Sequence, residues 1–268
     1  MKRGTLLLLS VVFVFSSKAQ ILHDATLDRD FAAQVKSMEE FILRFNGIEG
    51  HPDLQTDTTR TKNLIALFDH KMSHAGMNDT QFKQHIQKFV QQVEQQQLHI
   101  AMNDAGMYAE VTASATIDGK AVPLTLIMQQ QTYNDNQKRW AIVGAKGLAA
   151  AGVIDTTRIS GISPVEHELH FMSIGYIFEH DNCSNIMSYR GTGTKIDELS
   201  VLLALAMADK VRITQVSNLT MHCMDVPGYT FTINETGRRG NNSGWLISSL
   251  TKMNDEEKNN YLKQLFGL

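Results

Sequence analysis

QLHIAMNDAGMYAEVTASATIDGKAVPLTLIMQQQTYNDNQKRWAIVGAKGL, the stretch Gln97–Leu148, decides how the rest of the chain is read. Leu98-His99-Ile100, Met107 to Ile117, Ala121 to Tyr133 and Arg139 to Gly147 are β-forming runs separated by Asn103-Asp104-Ala105-Gly106, Asp118-Gly119-Lys120 and Asn134-Asp135-Asn136-Gln137. Asp-Gly and Asn/Asp clusters accept positive φ at low cost, so they mark hairpin turns. The pattern predicts an antiparallel meander. Val122, Leu124, Leu126 and Met128 share one face of its third strand, which another layer must cover. Pro123 near that strand's start favours an edge or an entry position.

Helices precede the meander. Phe31, Val35, Met38, Phe41, Ile42 and Phe45 recur at steps of three and four after a cap at Asp28, and Gly47 ends the run. Leu64, Ile65, Leu67 and Phe68 suggest a second, short helix. Asn78 or Asp79 opens a third, with Phe82, Ile86, Phe89, Val90 and Val93 on one stripe. Such stripes are read as core packing against the sheet. Gly144 to Pro164 is rich in small residues and lacks a hydrophobic period, which places a boundary near residue 155.

The second half repeats the plan. Val165 to Ile174 is an extended run and Tyr176 to Tyr189 an irregular helix. Ile196 to Ala208, started by Thr194 and Asp197, is a nearly all-apolar helix, hence one expected to be buried. Val211 to Met224, Tyr229 to Asn234 and Trp245 to Thr251 are strands. Asn254 caps a last helix with Tyr261, Leu262, Leu265 and Phe266 inward. Each meander ends on a polar turn and a Trp-led strand, Trp140-Ala141-Ile142-Val143 and Trp245-Leu246-Ile247-Ser248, and these are the chain's only two Trp. The expected class is therefore α+β, with two units, each made of helices packed on a curved antiparallel sheet.

Composition bounds the function. The chain has 268 residues, 43% apolar and 20% charged, with net charge −3 from 25 basic and 28 acidic residues. No run of one sign offers a footprint for nucleic acid. Lys2 and Arg3, the apolar run Leu6 to Phe15 and the small residues of Ser17-Lys18-Ala19 read as a signal peptide cleaved after Ala19. That apolar run is too short to span a bilayer of about 30 Å, so no membrane span is expected in the mature chain. The organisation becomes 1–19 signal peptide, 20–155 N-terminal domain and 156–268 C-terminal domain, exported to the periplasm or beyond. In an oxidising compartment the two cysteines, Cys183 and Cys223, are candidates for one disulfide, which would close a loop of about 40 residues and contribute roughly 4 kcal/mol. Two buried thiols are the alternative.

Helices followed by a curved antiparallel sheet that closes on a Trp-led strand resembles the nuclear transport factor 2-like superfamily of α+β cones, here as an exported bacterial protein. The resemblance covers residues 28–148 and, less well, 165–268, and rests on element order rather than on a motif. It implies a sheet wrapped around a helix with a pocket at the open end. The superfamily holds isomerases, dehydratases and non-catalytic binding modules, so it implies no single activity.

Among chemistry-bearing clusters, Glu166-His167-Glu168-Leu169-His170 stands out. On a strand, Glu166, Glu168 and His170 project to one face, where they could bind a divalent cation or do acid–base work. A solvated strand face is the plainer reading. HExxH is absent. His70 and His74 lack a third ligand, Arg190 to Lys195 lacks the spacing of a phosphate loop, and Arg238-Arg239 reads as a solvated turn. The 13 Met read as core filler. No catalytic motif and no cofactor signature is present. The leading expectation is an exported, non-catalytic module that binds a protein or small molecule. The alternatives are an enzyme with an acid–base pocket in the sheet's concavity and a metal site at Glu166, Glu168 and His170.

Overall fold

The structure, a computed structural model, describes residues 38–48, 60–133, 137–154, 175, 178, 189–191, 193–237 and 244–267. The expected signal peptide, the boundary at 155, Glu166, Glu168, His170, Cys183, Arg238 and Arg239 lie outside the described residues.

The elements in order are α1 (residues 38–45), α2 (Arg60–Ala66), α3 (Asp79–Gln95), β1 (Met107–Ile117), β2 (Lys120–Tyr133), β3 (Gln137–Lys146), α4 (Glu198–Met207), β4 (Val211–Cys223), β5 (Tyr229–Thr236), β6 (Gly244–Lys252) and α5 (Asp255–Phe266). The mix is α+β, with one antiparallel sheet of six strands in the order β3-β2-β1-β4-β5-β6. This corrects the expectation of a separate sheet in each half. Each half does build a meander, but the first strands of the two meanders pair with each other. The seam runs from Met107 opposite Cys223 to Ile117 opposite Val211. β1 is thereby an interior strand with β2 on one flank and β4 on the other, and its buried Met107, Ala109, Ala113, Ala115 and Ile117 share the face that the helices cover.

The turns behave as their residues require. Asp118 (φ 46°) and Gly119 (φ 79°) both take positive φ in the two-residue β1–β2 link. Pro123 sits in the part of β2 that precedes its pairing with β3, which begins at Thr125 opposite Lys146. There the missing N–H costs no ladder bond on that side. Leu98-His99-Ile100, expected as a strand, is not one. Gln97 turns the chain at φ 51°, and the side chain of Asn46 takes the place of a neighbouring strand, accepting from Ile100 N (3.0 Å) and donating to Ile100 O (2.8 Å).

Two apolar clusters lie on the same face of the sheet. The larger packs α1, α2 and α3 on the sheet around Phe89, whose ring centroid lies 5.2–6.5 Å from those of Tyr229, Phe231, Phe68 and Phe45. Met38, Phe41, Phe45, Phe89, Val90 and Val93 are buried, as the helical spacing requires. Capping boxes start α3 at Asn78 and α5 at Asn254. The smaller cluster packs Leu202 of α4 with Ala115, Val122, Leu124, Leu148 and Ile154. Residues 67–69 lie along β6, with Ile247 N donating to Leu67 O (2.8 Å) and Asp69 N to Ile247 O (3.0 Å). Helix α5 covers the opposite face.

Candidate functional site

Alternation along the strands points Ala109 and Val111 of β1, Met128 and Gln130 of β2, and Leu219 and Met221 of β4 to the helix-covered face. Between the two apolar clusters this face is hollow. A cavity of about 290 Å³ is lined by those six residues together with Met38 of α1, Met102 of the preceding turn, Trp140 of β3 and Trp245 of β6. β3 and β6 are the opposite edges of the sheet, so their two tryptophans can line one cavity only because the sheet curls strongly. The volume stands at the lower bound of small-molecule sites, about 300 Å³. Four of the lining side chains are methionine, which adapts its shape to what it touches.

The polar groups of this cup are few. Gln130 supplies an amide. Trp245 is only 4% exposed, and its indole Nε1–H has no hydrogen-bond partner. A buried donor left unpaired costs about 1–3 kcal/mol. Among the described residues no titratable side chain lines the cup.

The polar chemistry lies on the other face. Glu110 and His222, one position out of step with Ala109 and Met221, point under α5. His222 is 4% exposed; its Nε2 lies 3.1 Å from Glu110 Oε2 and its Nδ1 2.8 Å from Tyr261 Oη. A carboxylate only accepts, so Nε2 carries the proton, and in the neutral ring Nδ1 accepts from the tyrosine hydroxyl. Lys146 Nζ stands 3.4 Å from Glu110 Oε1. The bond from His222 holds the Glu110 carboxyl below its ordinary range, against burial and with help from Lys146. Burial, then the Glu110 charge, pushes the Tyr261 phenol up. Each polar atom of the His222 ring is satisfied and none of these residues lines the cup, so the cluster fastens α5 to the sheet.

A second polar anchor sits at the end of β4. Lys258 of α5 donates to the carbonyls of Met224 (2.6 Å) and Val226 (2.7 Å), and Gly106 N donates to Asp225 Oδ1 (3.1 Å). Burial lowers the Lys258 ammonium, and burial together with Asp104 raises the Asp225 carboxyl.

The expected partner of Cys223, Cys183, lies outside the described residues. Cys223 itself is wholly buried among the residues of the larger cluster, and burial pushes its thiol up to about 12. In the sheet it stands beside Met107 of β1 and Phe231 of β5. The cluster Glu166, Glu168 and His170 also lies outside the described residues. His74 stacks on Phe82 with ring centroids 4.2 Å apart and meets Asp79 at 3.3 Å, a surface contact. Among the described residues no group of three or more His, Cys, Asp or Glu is placed to hold a metal ion, and no helix is long and apolar enough to cross a membrane.

No protein-family model, curated protein or solved structure matches this chain. The cup itself left one trace in the sequence: two Trp, each heading the last strand of its meander. The methionines that line it carry no periodic signal that separates them from core.

Proposed function

We propose that this chain is an exported, non-catalytic binding module whose cup takes a small amphipathic molecule, an apolar body carrying one hydrogen-bond acceptor. The observation that carries the reading is a cavity lined almost wholly by methionine, tryptophan and aliphatic side chains, with the Gln130 amide as its polar handle. An acceptor on the ligand would meet the Gln130 amide N–H, while methionine and indole surfaces take the rest of the molecule. A curled sheet with helices on its concave face also agrees with the cone expected from the nuclear transport factor 2-like resemblance. The strand order, symmetric about the β1–β4 seam, supports reading the two halves as related units that share one sheet.

Both tryptophans of the chain line the cup, so intrinsic fluorescence reads its occupancy directly. Titration with 2-nonanone should shift the emission and saturate. Nonane, without the acceptor, should bind about tenfold more weakly, the equivalent of one hydrogen bond of roughly 1.4 kcal/mol. Equal binding of the two would refute the role of the Gln130 amide. No spectral change with either would refute the binding site.

A further inference from the structure

Helix α4 reads ELSVLLALAM, yet only Leu202 is buried, while Leu199, Val201 and Leu205 pack in part on the smaller cluster. Its outer face shows Ser200, Leu203, Ala204, Ala206 and Met207 to solvent, with Leu203 48% and Met207 91% exposed. A helix apolar on all sides is normally covered on all sides. The exposed apolar surface continues onto the sheet. Two bulges in β4 bring Val216 opposite Ala113 and Ile213 opposite Ala115, so both share the sheet face on which α4 sits, at 59% and 51% exposure.

Among the described residues, β5 pairs with β4 only over Thr220–Cys223 and no strand pairs with that side of residues 211–219. The two bulges fall in this part, between Thr112/Ala113 and Ser114/Ala115 of the partner strand. Bulges interrupt the ladder and twist an edge away from incoming strands. An added strand is therefore a poor occupant, and the helix face is the better one.

We propose that the outer face of α4 docks on the same face of a second copy of this chain, antiparallel about a two-fold axis near Ala204. The charges at its ends carry the choice of occupant. Asp197, which caps the helix, and Glu198, which accepts from Leu148 N, stand at its start, with Lys195 before them; Lys210, 3.8 Å from Asp118, and Arg212 follow its end, with Asp209. Antiparallel docking sets each carboxylate-rich end against the other copy's cationic end and opposes the two helix dipoles favourably. The shape agrees: Leu203 and Met207 form a ridge beside the shallow row Ser200, Ala204 and Ala208, so each copy's ridge fits the other's row. One ten-residue helix with two strand residues beside it makes a small interface, below about 1,200 Å² in total, so the dimer is of micromolar strength. This surface lies outside the cup and does not depend on the ligand.

Sedimentation of the purified chain over roughly 1–500 µM should show a reversible monomer–dimer equilibrium. Leu203→Glu and Met207→Glu, both at exposed positions, should abolish the dimer and leave the melting curve in place. Lys210→Glu should weaken it several-fold at low salt. Under oxidation, Ala204→Cys should crosslink two copies, because small residues let helix backbones approach to disulfide range. Ala208→Cys should not, since four residues of rise on each side of the axis separate the pair by about 12 Å. The unsubstituted chain is the control for its native cysteines. A monomer at every concentration, a dimer that survives both glutamates, or crosslinking at Ala208→Cys in preference to Ala204→Cys would each overturn the proposal.

Discussion

Replacing Tyr261 with Phe removes one oxygen from the layer between α5 and the sheet. That oxygen lies 2.8 Å from Nδ1 of His222, whose other nitrogen is held by Glu110 at 3.1 Å. His222 is buried, so the freed Nδ1 has no water to turn to. An acceptor stranded in this way costs about 1–3 kcal/mol. At the middle of that range, about 2 kcal/mol, the melting temperature should fall by about 4–8 °C. Chemical denaturation at pH 7 should show the same loss as a shifted midpoint with unchanged slope. His222→Leu should cost a similar amount, and the double variant should cost less than the sum, because the two groups serve each other. The same cluster sets a pH dependence. Glu110 ionises below its ordinary range in the folded chain, chiefly through the bond from His222. Its contribution is therefore complete above about pH 4.3, the unfolded value, and drains away as pH falls through the folded value. Glu110→Gln should flatten the acid limb of the stability curve. A Tyr261→Phe protein within 0.5 kcal/mol of the parent (roughly the scatter of neutral surface changes), or strict additivity with His222→Leu, would refute the reasoning.

Two further outcomes follow from the packing. With Cys183→Ser in place, the remaining thiol, Cys223, should ignore a thiol reagent at pH 8 and react fully in denaturant, since its thiolate is suppressed and its side chain buried; rapid labelling of the native protein would contradict that burial. Gly147 holds φ 118°, and a Cβ there would lie 2.4 Å from Pro123 O, whereas Gly119 at φ 79° has open space around it. Gly147→Ala should cost more than about 2 kcal/mol by denaturant titration and Gly119→Ala about 1 kcal/mol, the strain of the turn alone; equal costs would mean that the approach to Pro123 is unimportant.

Local grammar was legible wherever local physics rules. The spacing of Phe89, Val90 and Val93, the cap at Asn78, the Asp118-Gly119 turn and the alternation of Val122, Leu124 and Leu126 place α3, β1 and β2 within a residue or two of where they stand. What required partners far along the chain was not legible. Nothing near Met107 announces that Cys223 will lie beside it, so one sheet was mistaken for two. The apolar run of α4 was expected to be buried because hydropathy counts residues, not faces, and cannot say that only Leu202 finds full cover. The cup was half visible: Trp140 and Trp245 marked the right strands, but only the curl of the sheet brings the two together. His222 gave no signal, since its partners Glu110 and Tyr261 lie 112 and 39 positions away.

The pairing of Met107 with Cys223 has a consequence for how this polypeptide can be assembled and divided. Each hairpin ribbon closes over short distances, yet the join between the ribbons must bring together residues more than a hundred positions apart, a step that loop-closure entropy makes slow. Until it closes, two interior strands stand with open flanks, the kind that invite aggregation. Cutting the gene between the ribbons would make that exposure permanent. The two pieces should therefore recover solubility only when expressed together, each acting as the other's missing flank.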